Sequence, residues 1–169
     1  MSARREVLEF TTDNLEPALS EMVAIARARD GWVNIRPRPV ENPAEFMTEF
    51  ASDPVASPLG LFGRRKPITL EGTWVPGRST RNGTDPDSVG LEHPAGRFGV
   101  RQLRDGGSPV PKAWKVVTDS TRRGLVLRVP PSDDIENNCR TILSWLLTAA
   151  TTLAPIQVNG RWQVEVNRR

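Results

Sequence analysis

The chain has 169 residues with a formal net charge of +3, and 37% of its residues are hydrophobic. That length suits one domain with a core of its own, and five Trp and five Phe argue against general disorder. One cysteine excludes an intramolecular disulfide, and one cysteine with one histidine excludes the ligand sets of structural zinc. We expect a single cytoplasmic domain over residues 1–169, because the sequence has no signal-peptide or membrane-span pattern. We expect no cofactor or metal, because the ligand sets and binding motifs for them are missing.

The first third of the chain predicts two strands and two helices. The stretches "REVLEF" and "WVNIRP" each suit a short strand. Between them, apolar residues at helical spacing predict a main helix over about 14–30, which Gly31 ends. A shorter helix is predicted over 43–51, where Phe46, Met47 and Phe50 share a face.

The middle of the chain predicts a strand, a long loop and a basic helix. The strand is "ITLEGTWVPG", and residues 77–92 after it have many turn formers and no apolar period, which predicts a long mobile loop. Pro94 suits the first position of a helix and Gly106 its end. On that helix, one side carries what we call the arginine stripe: Arg97, Arg101 and Arg104.

The last third of the chain predicts two hairpins around a second main helix. "KAWKVVTD" and "RGLVLRV" suit one hairpin, and Asn159-Gly160 is the type I′ signature of another. Residues 133–153 form the clearest amphipathic pattern, with Asp133 and Glu136 as a capping box. We therefore predict an α+β fold, in which a mainly antiparallel sheet with C-terminal hairpins packs against the helices at about 14–30 and 133–153.

Familiar catalytic and cofactor motifs are missing from the sequence. No two glycines have G-x-G spacing, and no G-x-x-x-x-G-K-[ST] is present, so the usual phosphate-binding loops of nucleotide sites are absent. Cys139 falls on the apolar face of its predicted helix, which favours a core position over a nucleophile. His93 directly precedes Pro94, where we expect an imidazole to cap the helix or face water.

The arginine stripe is the best candidate for a binding surface. Guanidinium groups at these spacings extend over about 10 Å, enough to meet several anionic groups. Arg64, Arg65 and Lys66 form a second basic cluster that joins it if the two are adjacent. We predict a non-catalytic interaction protein with an acidic protein partner. Nucleic acid is less favoured, because residues 1–63 carry ten acidic and only six basic side chains.

Four alternatives stay open at this stage. The first is that the arginine stripe is an ordinary solvated helix face. The second is that the stripe binds nucleic-acid phosphates. The third alternative is an enzyme without a recognisable motif, in which His93 or a carboxylate from the loop at 77–92 acts as acid or base, with a deep pocket near His93. The fourth is a structural subunit anchored by Leu61 and Phe62. The oligomeric state does not follow from the sequence.

Overall fold

The computed structural model describes residues 4–38, 70–81, 83–93, 98–120, 123–154 and 158–169. The strands are β1 (Arg4–Thr11), β2 (Gly31–Pro37), β3 (Glu71–Val75), β4 (Ser79–Thr80), β5 (Gly83–Thr84), β6 (Asp87–Glu92), β7 (Lys115–Ser120), β8 (Gly124–Val129) and β9 (Arg161–Arg168). The helices are α1 (Glu16–Ala28), α2 (Gly99–Asp105) and α3 (Ile135–Leu153).

Seven of these strands form one sheet in the order β1-β9-β2-β3-β6-β8-β7, and every neighbouring pair is antiparallel. The two-residue strands β4 and β5 pair separately. The prediction of an α+β fold with a mainly antiparallel sheet is confirmed. β9 lies between the first two strands of the chain, so the two ends of the described chain meet within the sheet.

The three helices pack on one face of the sheet. α3 contacts both α1 and α2, and each helix also contacts strands, which places all three on the same side. Side chains alternate accordingly: Val33 and Ile35 of β2 are buried toward the helices, whereas Asn34 between them is only half-buried. Gly72 of β3 gives α3 room to approach, since a Cβ there would lie 3.1 Å from Leu146 Cδ2.

Both main helices lie within the predicted bounds. α1 ends where Arg29 adopts a left-handed conformation with φ of 56°, and its amide donates to the carbonyl of Ile25. The predicted capping box makes Asp133 the N-cap of α3, but the helix begins one residue later. Its N-cap is Asp134, whose carboxylate accepts a hydrogen bond from the Asn137 amide at 3.1 Å.

The prediction of a loop over 77–92 was wrong for its last six residues. These residues form β6 (Asp87–Glu92), near the middle of the sheet. Val89 and Leu91 are fully buried, and Gly90 and Glu92 alternate with them on the other face. The alternation is hard to see in the sequence because a buried aspartate, Asp87, takes the first inward position.

The first strand of the predicted hairpin at Asn159-Gly160 lies largely outside the described residues. Its second strand, β9, pairs along its length with β1 on one side and with β2 on the other. Gly160 still turns the chain, with φ of 73°, and its carbonyl accepts a hydrogen bond from the Thr12 amide. The turn therefore leads into a long-range pairing with β1. The β7–β8 hairpin was predicted correctly.

Several predictions lie outside the described residues: the helix over 43–51, the loop anchors Leu61 and Phe62, the basic cluster Arg64, Arg65 and Lys66, and residues Pro94 to Arg97. The predicted continuous helix from Pro94 to Gly106 was wrong, because α2 begins at Gly99 and Phe98 directly before it has a left-handed backbone. Within the ranges that the structure describes, no helix is both long and apolar enough to cross a membrane.

Candidate functional site

The short helix α2 is fixed to the sheet at its first turn. The carboxylate of Asp119, on β7, accepts hydrogen bonds from the amides of Gly99 and Val100, both at 3.1 Å. A carboxylate at this end satisfies amides that have no partner within the helix, and it complements the helix dipole. Leu103 is fully buried on the inner side of α2. Because the first turn and the inner side of α2 are both fixed, the outer side of the helix faces solvent in one defined orientation.

Phe98 directly precedes α2 and combines two unfavourable features. Its backbone is left-handed, with φ of 71° and ψ of 38°, a conformation that bulky residues rarely adopt. Its side chain is 66% exposed. A strained residue that presents a large apolar group to water is typical of a site that acts on something outside the chain.

Arg101 and Arg104 project from the exposed side of α2, with 72% and 68% of their side-chain surface accessible. Asp105 is the acidic residue they approach among the described residues, at 3.6 Å from Arg101 Nε and 3.5 Å from Arg104 Nε. It is itself 59% exposed, and pairs of this kind in water are worth little. One carboxylate for two guanidinium groups leaves a net positive surface.

The edge strand β7, which contacts α2, carries two exposed valines. Val116 and Val117 are 40% and 52% exposed, and the pairing with β8 shifts register between Val116 and Thr118. Val117 precedes Asp119 by two residues, which at the usual rise is about 7 Å along the strand. Asp119 in turn contacts α2. We call this the α2–β7 surface: Phe98, Arg101, Arg104, Val116 and Val117.

His93 neither caps a helix nor faces water, so that prediction was wrong. It directly follows β6, is only 3% exposed, and neither ring nitrogen has a hydrogen-bond partner in the described part of the chain. The backbone of Gly99 packs against the imidazole, because a Cβ at that glycine would lie 2.8 Å from Nε2. Burial lowers the pKa of His93, and the nearby carboxylate of Asp119 opposes this shift.

The acid–base role considered for His93 has little support in this geometry. The two oxygens of Asp119 are engaged by the amides of α2, and the imidazole is shielded from solvent. A general acid or base has to reach the proton that it transfers. Catalysis at His93 stays a prediction that no contact described here favours.

Asp87, one of the carboxylates in the segment predicted as a loop, is buried at the start of β6. It accepts hydrogen bonds from Trp74 Nε1 at 3.1 Å, from the Gly77 amide at 2.8 Å and from Asn138 Nδ2 at 3.2 Å. These donors lie on β3, on the segment after it and on α3. Asp87 therefore joins three parts of the fold, a structural role that satisfies a buried charge. The sequence placed it in a loop, which hid this role.

Cys139 lies beside this cluster and belongs to the core, as predicted. It is 1% exposed, and burial raises the pKa of its thiol to about 12, with Asp87 contributing in the same direction. The thiolate is therefore scarcely populated near neutral pH.

Glu165 is a second buried carboxylate, on the sheet face away from the helices. It forms ion pairs with Arg5 at 2.6 Å and with Arg36 at 2.5 Å, so β9 is tied to both neighbouring strands. Arg36 also approaches Glu71 at 4.0 Å. Burial raises the pKa of Glu71, and Arg36 opposes the shift. The network is balanced in charge and links four strands, which favours a structural role.

The structure brings Arg101 and Arg104 of the predicted site together, and Arg97, Arg64, Arg65 and Lys66 lie outside the described residues. Phe98 and the two valines were missed, because an exposed apolar side chain has no distinct pattern in a sequence. Among the residues that the structure describes, no three His, Cys, Asp or Glu side chains are placed to hold a metal ion.

Comparisons of the chain with family models, with curated proteins and with solved structures found no match. Functional inference therefore depends on the surface itself.

Proposed function

We propose that this protein is an interaction domain that binds an acidic, partly apolar segment of a partner protein on the α2–β7 surface. The observation that carries the proposal is the exposure of Phe98 beside two arginines that share a single carboxylate. Aromatic and arginine side chains dominate the binding energy of protein interfaces, because both bury a large area and arginine binds carboxylates in a bidentate manner.

Rigidity of the surface supports the same proposal. Asp119 fixes the start of α2, and the buried Leu103 fixes its inner side. A partner that binds here does not have to order the helix first, so less conformational entropy is lost on binding. The left-handed Phe98 holds its ring at the edge of this rigid unit.

Charge favours an acidic partner, and the apolar residues favour protein over nucleic acid. Phosphate binding requires basic groups, and Phe98, Val116 and Val117 contribute nothing to it. Among the described residues between β6 and β7, α2 is the one helix, and this arrangement does not favour a helix-turn-helix. Lys115, at the exposed start of β7, adds a further positive charge.

The test uses a synthetic peptide of Glu-Glu-Leu repeats, its Gln-Gln-Leu counterpart and a DNA duplex, each titrated into the labelled protein and followed by NMR amide shifts. We expect the acidic peptide to perturb amides of Gly99–Asp105 and Lys115–Ser120. The Arg101→Gln/Arg104→Gln variant and the Phe98→Ala variant should each lose the effect. The matched control is Arg78→Gln/Arg81→Gln, which removes the same charge from exposed arginines on another segment.

Two results would overturn the proposal. One is an acidic peptide that leaves α2 and β7 unperturbed while it shifts amides elsewhere. The other is a DNA duplex that binds this surface more tightly than the peptide, which would assign it to nucleic-acid phosphates.

A further inference from the structure

We propose that two copies of this chain pair in antiparallel fashion along β1, with Val7 of one copy opposite Val7 of the other. This inference is independent of the α2–β7 surface and begins from the edges of the sheet. Of the described strands, β1 hydrogen-bonds to β9 alone, so no described strand pairs with the amides and carbonyls on its second side. Such an edge is a template for another strand.

The two edges of the sheet differ in how they are protected. β7, at one edge, has a register shift between Val116 and Thr118 and begins with an exposed lysine, and both features discourage edge pairing. β1, at the other edge, pairs with β9 over all eight of its residues without a shift. It contains no proline, lysine or bulge, so its backbone is regular enough to accept a further strand.

An exposed apolar residue lies at the middle of this edge. Val7 is 49% exposed, on the sheet face away from the helices. Arg5 and Glu9, two residues to either side, point to the same face because side chains alternate along a strand. The three residues form a short surface with opposite charges at its ends and a valine at its centre.

Symmetry limits the registers that such a pair of strands can adopt. An antiparallel pair of identical strands has a two-fold axis perpendicular to the sheet, so directly opposed residues come from the same face. Centring the axis on Val7 places Arg5 of each copy opposite Glu9 of the other, which gives two cross-strand ion pairs. Opposite charges in such pairs stabilise a sheet.

Neighbouring registers are less favourable. An axis at Glu6 sets two glutamates against each other, and an axis at Leu8 sets Val7 against Glu9. Like charges directly opposed are destabilising, and an apolar side chain opposite a carboxylate gains nothing. The register centred on Val7 is therefore the one in which the edge complements itself.

The charged side chains of β1 are already oriented within one copy. Arg5 binds Glu165 at 2.6 Å, and Glu9 binds Arg38 at 2.8 Å. Both remain accessible, with 62% of the Arg5 side chain and 52% of the Glu9 side chain exposed. Each group has room for a second partner, and less side-chain freedom remains to be lost when the copies meet.

Pairing along β1 would join two seven-stranded sheets into one continuous sheet. Since β1 and β7 are opposite edges, the two α2–β7 surfaces would lie at the far ends of the dimer.

A cysteine introduced at the centre tests both the pairing and its register. Cys139 is the only native cysteine and is buried, so Val7→Cys carries one accessible thiol. Under mild oxidation we expect it to form a disulfide-linked dimer on a non-reducing gel. Arg5→Cys and Glu9→Cys, exposed on the same face, should not cross-link alone, whereas the double variant Arg5→Cys/Glu9→Cys should. Equal cross-linking of all single variants would overturn the proposed register.

Sedimentation velocity of the wild-type chain over a range of concentrations tests the dimer without any substitution. We expect a monomer–dimer equilibrium that Val7→Lys shifts to monomer, because two lysines would meet at the axis. Val116→Lys, a similarly exposed valine on the opposite edge, should leave it unchanged. A wild-type chain that remains monomeric overturns the proposal, and so does a dimer that only Val116→Lys disrupts.

Discussion

Asp119 Oδ1 accepts a hydrogen bond from the Gly99 amide at 3.1 Å, and this contact joins the edge strand β7 to the helix that carries the exposed arginines. The second carboxylate oxygen binds the next amide, that of Val100. Asp119 of β7 thus fixes the position of α2, the other element of the α2–β7 surface.

Replacing Asp119 should loosen α2. The Asp119→Ala variant leaves two amides of the first turn without their carboxylate, which should lower the free energy of unfolding by about 1–2 kcal/mol. Hydrogen exchange at Gly99 and Val100 should accelerate more than exchange in α3. Asp105→Ala, an exposed aspartate at the other end of α2, is the matched control and should have little effect. Equal exchange in the two variants would contradict the anchoring role.

Stability should fall below the ordinary pKa of histidine because His93 is buried in its neutral form. Burial lowers its pKa in the folded chain from 6.5, so the unfolded chain binds more protons in the window below that value. The contribution of His93 to the free energy of unfolding is therefore fully present above pH 6.5 and decreases as the pH falls, by at most about 1.4 kcal/mol per pH unit.

The comparison with His93→Gln isolates this effect, since His93 is the only histidine. Glu71, whose pKa is raised by burial, contributes a slope of the opposite sign above 4.5 and is present in both proteins. Denaturant unfolding at several pH values should give a steeper loss for the wild type than for the variant. Identical slopes would show that His93 charges as readily in the folded as in the unfolded chain.

Removing the Asp87 carboxylate should strongly destabilise the fold. Asp87→Ala leaves the Trp74 indole N–H, the Gly77 amide and the Asn138 amide without their acceptor. Buried donors without partners make the loss roughly 3 kcal/mol or more. Urea unfolding followed by tryptophan fluorescence measures it, with the exposed Asp85→Ala as control. A loss no larger than that of the control would contradict the structural role of Asp87.

Cys139 should resist thiol reagents in the folded protein. Its thiol is 1% exposed and its pKa is raised to about 12, so little thiolate is present and little of it is reachable. Ellman's reagent should react slowly without denaturant and rapidly in urea. Rapid reaction of the folded chain would contradict this and would require Cys139→Ser as the background for the Val7→Cys experiment.

The sequence predicts elements best where local pattern and tertiary packing agree. α3 has apolar residues at helical spacing together with an acidic start, and both signals come from within the helix. β6 was missed because its first inward residue is Asp87, which is polar and is satisfied by donors distant in sequence. Local pattern holds no information about such partners.

The candidate site divides in the same way. Arg101 and Arg104 could be predicted, because charge and helical spacing are visible in the sequence. The exposure of Phe98 could not, since it depends on a left-handed backbone and on the direction in which Asp119 holds α2. The turn at Asn159-Gly160 gives a third case, in which a correct local signal leads into pairing with a strand at the other end of the chain.

The most direct test of the proposed function is calorimetric titration of the Glu-Glu-Leu repeat peptide into three proteins: wild type, Arg101→Gln/Arg104→Gln and Arg78→Gln/Arg81→Gln. The proposal predicts that the α2 variant loses about tenfold in affinity, since it removes two exposed ion pairs that are each worth up to about 1 kcal/mol, and that the control variant binds like wild type. Equal affinity of the two variants would contradict it, because the peptide would then respond to overall charge and not to the α2–β7 surface.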